Sequence, residues 1–110
     1  MANTFKSEGN AGVGTSTATV YTCPAATSTT VIGMSLANVV GTLVTADVTL
    51  VKNGGTPTVH LIKDVPLPSG STSVIIGGDQ KLVLETGDSV KVVSDTASSV
   101  DVVFSYLEIT

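Results

Sequence analysis

Short runs of β-branched residues constrain this chain more than any other feature of its sequence. Valine and threonine recur at alternate positions in runs such as TATVYT, VTADVTLVK and VDVVFSYLEI, and glycine, proline, serine and asparagine separate the runs. Branching at Cβ restricts χ1 and favours pleated strands over helices. No window shows an apolar helical face with capping residues. The pattern therefore predicts an all-β fold.

The spacing of these runs predicts an antiparallel β-sandwich of immunoglobulin-like or jelly-roll type, built from roughly seven to nine short strands. The last run has apolar residues on both faces, with Val102, Phe104 and Tyr106 on one side, so we expect a central strand or one that meets another subunit. The predicted strands are 17–22, 30–38, 44–52, 58–64, 73–77, 81–85, 89–93 and 100–109.

One hairpin signal is clear. The triplet Asn53-Gly54-Gly55 tolerates positive φ angles, which suits the tight turns that join antiparallel strands. We therefore predict that the strand ending at Lys52 pairs with the run that begins at Thr58. The segment Pro66 to Ser73 contains two prolines, and because proline has no N–H to donate, this segment should cross between sheets or run along an edge.

The first 16 residues differ from the rest, since they are rich in Gly, Ser, Thr and Asn, and Phe5 is their one large aromatic side chain. Such a segment cannot bury enough apolar area to offset its ordering entropy, so we expect an extended N-terminal arm at 1–16, mobile in a free monomer, beside a sandwich domain at 17–110. Phe5 could dock the arm onto a neighbouring protein, which makes it the candidate assembly-interface residue. The alternative is that Phe5 folds back onto its own sandwich.

Two Gly-Asp pairs, at 78–79 and 87–88, stand where one strand should end and another begin. A calcium loop needs several oxygen ligands at close spacing, and neither pair provides them. Glycine allows positive φ and aspartate bonds the backbone of its own turn, so we interpret both pairs as turns. Cys23 and His60 are 37 positions apart and do not form a zinc ligand set. We predict no metal and no cofactor.

The candidate catalytic groups are equally sparse. No G-x-S-x-G motif accompanies His60, which lies on a strand-like run where a packed or surface histidine is the usual role. Cys23 has no cationic neighbour in sequence, so we expect a small buried hydrophobe, with an exposed or inter-subunit thiol as the alternative. Lys81 and Lys91 should cover a solvent face or an edge. We predict no catalytic residues and no small-molecule substrate.

Charge and aromatic content disfavour several kinds of partner. Five lysines, no arginine and a formal net charge of −4 do not suit a nucleic-acid binder. Two phenylalanines, two tyrosines and no tryptophan give little surface for stacking on bases or sugars. The most apolar window, 31–44, is shorter than the roughly 18 to 20 residues of a membrane span. With 42% hydrophobic and 13% charged residues, the chain is expected to associate with copies of itself.

Several stretches together resemble small virion structural proteins of tailed bacteriophages, namely MANTFKSEGNAGVGTSTATVYTCPA, TVIGMSLANV, PLPSGSTSVIIGGDQKLVLETGDSVKVVS and ASSVDVVFSYLEIT. The likeness extends over nearly the whole chain. It implies a Gly- and Thr-rich N-terminus joined to a β-sandwich, acting as an accessory part of the particle and not as an enzyme. It carries over no catalytic residue.

The leading hypothesis is therefore a non-enzymatic virion component that forms homo-oligomers and binds other virion proteins, as a head decoration or cement protein or as a neck, collar or tail part. The N-terminus lacks the basic start and apolar block of a secretory signal, so we expect assembly in the host cytoplasm. The alternative is a host-recognition fibre or spike module that binds a surface glycan, against which the few aromatic residues count. An enzyme that uses His60 as a base is the third hypothesis.

Overall fold

The computed structural model describes residues 2–77 and 81–110, so the predicted turn at Gly78-Asp79 lies outside the described residues. Within these ranges the chain is all β, with no helix, as the Val and Thr runs predict. The described strands are β1 Asn3–Val13, β2 Ala18–Thr22, β3 Ser28–Asn38, β4 Val44–Val51, β5 Thr58–Leu67, β6 Thr72–Ile76, β7 Leu82–Leu84, β8 Ser89–Ser94 and β9 Val100–Ile109.

The strands form two antiparallel sheets that pack face to face as a β-sandwich. One sheet has five strands in the order β1-β9-β3-β6, with β7 also paired to β3, and the other has the order β2-β8-β4-β5. The pairing is nested: β1 pairs with β9, β2 with β8, β3 with β6 and β7, and β4 with β5. This is the connectivity of a long hairpin rolled into two sheets. Of the two sandwich types that the sequence left open, the connectivity is that of a jelly roll.

The core lies between the sheets because every second side chain of a strand points to the same face. On β9, Val102, Phe104 and Tyr106 are at most 2% exposed. Tyr21 of β2 contacts both rings, with centroid distances of 5.6 Å to Phe104 and 4.3 Å to Tyr106. β9 lies between β1 and β3 in its sheet. The prediction of a central final strand is therefore confirmed.

The predicted hairpin joins β4 and β5. Gly54 and Gly55 have φ angles of 89° and 85°, and the Gly55 N–H donates to the Lys52 carbonyl at 2.8 Å. β5 continues to Leu67, past the predicted end of this run, and includes Pro66 opposite Thr45. β5 is the edge of its sheet, where a residue without an N–H is tolerated. The expectation that the proline segment runs along an edge is confirmed for Pro66.

The segment predicted as an arm is extended, but most of it is a strand of the sandwich. β1 pairs with β9 from Asn3 opposite Ile109 to Val13 opposite Val100, at the edge of the five-stranded sheet. The sequence shows no strand alternation here because nearly all side chains of β1 are exposed and only Val13 is buried. Backbone pairing, and not an apolar inner face, places this strand. That residues 1–16 serve assembly remains a prediction.

Candidate assembly surface

The side of the five-stranded sheet that faces away from the core exposes apolar side chains from four strands. Phe5 on β1 is 73% exposed, Val74 on β6 70%, Val83 on β7 61% and Val103 on β9 54%. This surface, together with the outward residues between them on β3 and β9, is called the outer face below. Val103 points outward because its neighbours Val102 and Phe104 point into the core.

Phe5 belongs to the outer face because the residues that follow it alternate. Lys6 Nζ lies 2.8 Å from Glu108 Oε1, and the Tyr106 hydroxyl donates to Glu8 Oε2 at 2.8 Å. Tyr106 and Glu108 point into the sandwich, so Lys6 and Glu8 lie on the inner side of β1. Phe5 must then point outward, opposite Leu107 of β9. The structure therefore places this sequence-predicted candidate in solvent and not back on its own core.

The register of the strands arranges the outer face in rows. One row runs from Phe5 through Leu107 and Thr30 to Val83, and a second runs from Gly9 through Val103 and Ser35 to Val74. Between these rows Ile32 of β3 is 37% exposed, but its neighbours Gly33 and Ser105 are small residues. They leave a depression of about 230 Å³, lined among others by Gly33, Ser35, Val74, Val103 and Ser105. The outer face thus carries both a protruding aromatic side chain and a shallow hollow.

Charge distinguishes the outer face from the opposite side of the molecule. Among the described strand residues of the outer face, Asp101 is the one charged residue, and it accepts a hydrogen bond from the Gly12 N–H at 2.9 Å. Lys81 lies just before β7 at the border of this face. The exterior of the four-stranded sheet instead carries charges of both signs, including Asp47 and Lys63, whose carboxylate and ammonium lie 3.9 Å apart.

A buried polar cluster fixes the inner side of β1. The Tyr21 hydroxyl donates to Glu108 Oε2 at 2.6 Å, and Thr29 Oγ1 lies 2.8 Å from the same hydroxyl. The Lys6 ammonium, and then the Tyr21 hydroxyl, hold the pKa of the Glu108 carboxyl below its ordinary value. Burial, and then the adjacent Glu108, raise the pKa of Tyr21 above its ordinary value. The cluster is neutralised internally, so its role is to dock β1 onto the sandwich.

A second cluster surrounds the Gly-Asp pair at 87–88. Gly87 has a φ of 87°, and Asp88 Oδ2 accepts a hydrogen bond from the Glu85 N–H at 2.9 Å, which confirms the predicted turn. Asp88 is only 1% exposed and also accepts from the Asn53 N–H at 3.0 Å and from Lys52 Nζ at 2.5 Å. Burial would raise the pKa of Asp88, but Lys52 and the two N–H groups outweigh it and lower the pKa.

The remaining sequence candidates do not converge on one site. Cys23 is buried, as expected, and its thiol donates to the Thr27 carbonyl at 3.3 Å. His60 is exposed on β5 opposite Thr49, and Lys91 lies on β8 with its side chain on the exterior of the four-stranded sheet. Within residues 2–77 and 81–110, no group of three His, Cys, Asp or Glu side chains could hold a metal ion. In the same ranges no helix is long and apolar enough to cross a membrane.

Sequence reasoning selected Phe5 but not the rest of the outer face. Val74 and Val83 lie in short runs that could have been buried on either side, and their exposure follows only from their pairing with β3. The sequence signal for this face was the pair Val103 and Leu107, because they alternate with the core residues of β9 and so lie on its other side. An apolar residue on both sides of a central strand is the pattern that points to a second contact surface.

Neither a family model nor a curated protein matches the sequence. Among solved structures, the fold is similar to a protein of Bacillus endospore appendages, described as disulfide-linked pili, at 15% identity and a TM-score of 0.49 over 100% of this chain and 91% of that chain. Structures of infectious bursal disease virus, strains Gx and Gt, are similar at 17% and 13% identity with TM-scores of 0.48 and 0.45, covering 96% and 98% of this chain but 28% and 30% of those chains.

Proposed function

We propose that this chain is a non-enzymatic structural subunit of a tailed-phage virion, which associates with copies of itself and with other virion proteins. The observation that carries the proposal is the outer face, where Phe5, Val74, Val83 and Val103 are each more than half exposed. The centres of protein interfaces are depleted in charged residues, as this face is, and aromatic side chains such as Phe5 are favoured there. The resemblance of the sequence to small virion proteins of tailed phages supports a virus particle as the assembly.

Two positions in the particle fit this function. A head decoration or cement protein usually sits at local symmetry axes as a trimer, whereas a neck, collar or tail part follows the sixfold or twelvefold axis of the particle. In either position we expect the outer face to be covered by protein, because exposed apolar area of this size stabilises association when it is buried. Assembly in the host cytoplasm belongs to the same proposal.

Cryo-EM of the particles that carry this protein tests the proposal. We expect density for the jelly roll in stoichiometric copies, with Phe5 and Val103 in contact with another polypeptide. Absence of the chain from purified particles would refute the virion role. If the chain is present but its outer face is bare and a purified sample binds host glycans on an array, the host-recognition function is correct instead.

A further inference from the structure

We propose that the outer face is the contact surface between two copies of this chain, and that Phe5 of each copy inserts into the depression at Gly33, Ser35 and Ser105 of the other. The inference deepens the proposed function, on which it rests, by naming a partner and a contact. A two-fold contact closes on itself, so any threefold, sixfold or twelvefold arrangement in the particle would use other surfaces of the chain. The inference is carried by three properties of the outer face: its area, the presence of both a protruding side chain and a depression, and its near lack of charge.

The area of the face is sufficient for a weak specific interface. Strands lie about 4.8 Å apart and rise about 3.3 Å per residue, so a face four strands wide and about ten residues long covers roughly 600 Å². Two such faces in contact bury roughly 1,200 Å², which is at the lower end of the range for specific protein interfaces. We therefore expect a reversible dimer and not a permanent one.

The shape of the face is complementary to itself. Phe5 projects from β1 at one corner, while the depression of about 230 Å³ lies toward β3 and β6, one row further along the strands. A buried aromatic side chain removes roughly 150 to 250 Å² from water, and a depression lets the ring contact the partner on more than one side. Gly33, Ser35 and Ser105 are among the residues that line this hollow, and their small size leaves room for the ring.

A protrusion and a hollow on one face define a two-fold contact. A two-fold axis in the plane of the contact, midway between Phe5 and the depression, places Phe5 of each copy over the depression of the other. The two rings can therefore be buried at the same time. Asp101 lies at one end of the face and can remain at the rim. Pairing the outer face with the exterior of the four-stranded sheet would instead bury charged groups such as Asp47 and Lys63, which is costly without new partners.

Sedimentation velocity from about 1 µM to about 1 mM measures the dimer. We expect the wild-type protein to dimerise within this range and Phe5→Ser to weaken the dimer at least about tenfold, as removal of a central aromatic anchor does. Leu43→Ser is the matched control, because Leu43 is 60% exposed but lies outside the outer face, in the segment before β4. Both changes are at exposed positions, so we expect each variant to keep its fold, which circular dichroism checks.

Cysteine pairing locates the contact independently. Phe5→Cys and Ser35→Cys proteins, mixed and mildly oxidised, should form a disulfide-linked heterodimer. Phe5→Cys mixed with Thr49→Cys, which is on the other sheet, should not. The native Cys23 does not interfere because it is 2% exposed.

A wild-type protein that stays monomeric throughout this range would overturn the inference, as would equal effects of Phe5→Ser and Leu43→Ser or equal crosslinking at positions 35 and 49. A monomeric protein that is nonetheless present in the particle overturns the pairing alone. A dimer with the predicted crosslinks from a protein absent from the particle supports the pairing and overturns the virion role.

Discussion

Asp88 connects two turns that are far apart in the sequence. Its carboxylate accepts from the Glu85 N–H of its own turn and from the Asn53 N–H of the β4–β5 hairpin, and it also binds the Lys52 ammonium. The first contact follows from the local Gly-Asp pattern. The others lie 35 and 36 positions away and depend on how the four-stranded sheet aligns β4 with β8. Sequence could therefore predict the turn but not the junction.

Replacing Asp88 should strongly destabilise the fold. Asp88→Ala leaves three partly buried donors without an acceptor, and we expect a loss of about 3 kcal/mol in the free energy of unfolding, measured by urea denaturation. Glu85→Ala is the control, because the Glu85 side chain is 79% exposed and also contacts Lys52. An exposed ion pair contributes about 0 to 1 kcal/mol. Equal losses in the two variants would show that Asp88 acts only as a surface charge.

Glu108 should make stability depend on pH in the acid range. The folded state lowers its pKa below the ordinary 4.5, because Lys6 and Tyr21 bind the carboxylate. The stabilisation is therefore complete above pH 4.5 and is lost as the pH falls through the folded-state pKa. We expect wild type to be more stable than Glu108→Gln at pH 7, with a difference that shrinks at acid pH. A difference independent of pH between 7 and 3 would contradict this role of the carboxylate.

At the scale of elements, most strands from β2 to β9 could be predicted because their side chains alternate between a buried core and solvent; β5 does not alternate, and its signal is the turn at Asn53-Gly54-Gly55 that precedes it. β1 could not be predicted, because its inner side chains, Lys6 and Glu8, are polar and meet the polar partners Glu108 and Tyr106 on β9. The pairing that holds β1 joins residues about a hundred positions apart, such as Asn3 and Ile109. No local pattern records such a partner. The expected mobility of this segment in a free monomer is a separate property that hydrogen exchange would measure.

Removal of β1 should cost stability as well as assembly. Deleting residues 2–10 leaves Glu108 without Lys6 and Tyr106 without Glu8, and exposes the edge of β9. We expect the free energy of unfolding to fall by at least about 2 kcal/mol. Phe5→Ser should leave it unchanged within about 0.5 kcal/mol, because the side chain is exposed. Comparing the two variants distinguishes the contribution of β1 pairing to stability from that of the Phe5 side chain. An unchanged melting temperature after the deletion would mean that β1 is a loosely attached arm.

The β4–β5 turn depends on glycine for conformation and not for space. Gly54 has a φ of 89°, and a Cβ added at this position would meet no atom within 4 Å, so Gly54→Ala strains only the backbone. We expect a loss of about 1 to 2 kcal/mol in thermal or urea unfolding. Gly41→Ala is the matched control, since its Cβ would also meet nothing within 4 Å and its φ is not in the left-handed region. A neutral Gly54→Ala would show that the hairpin tolerates another turn.

For the whole molecule, the two exteriors differ in chemistry although both sheets are built from similar strands. The exterior of the four-stranded sheet carries Asp47, Lys63 and Lys91, whereas the outer face carries Phe5 and three exposed valines. Sequence could predict that the chain has apolar residues in excess of its core. It could not predict that β1, β6, β7 and β9 collect them on one side, because that follows from strand order.

The nested pairing also sets an order in which the chain can acquire its structure. β4 and β5 are neighbours in sequence and can close their hairpin as soon as both exist, whereas β1 has no backbone partner until β9 is available. On the ribosome, β1 emerges before β9 and cannot take its place in the sheet until β9 has been made. Throughout synthesis its unpaired N–H and C=O groups are accessible to chaperones, proteases and the first strands of neighbouring nascent chains.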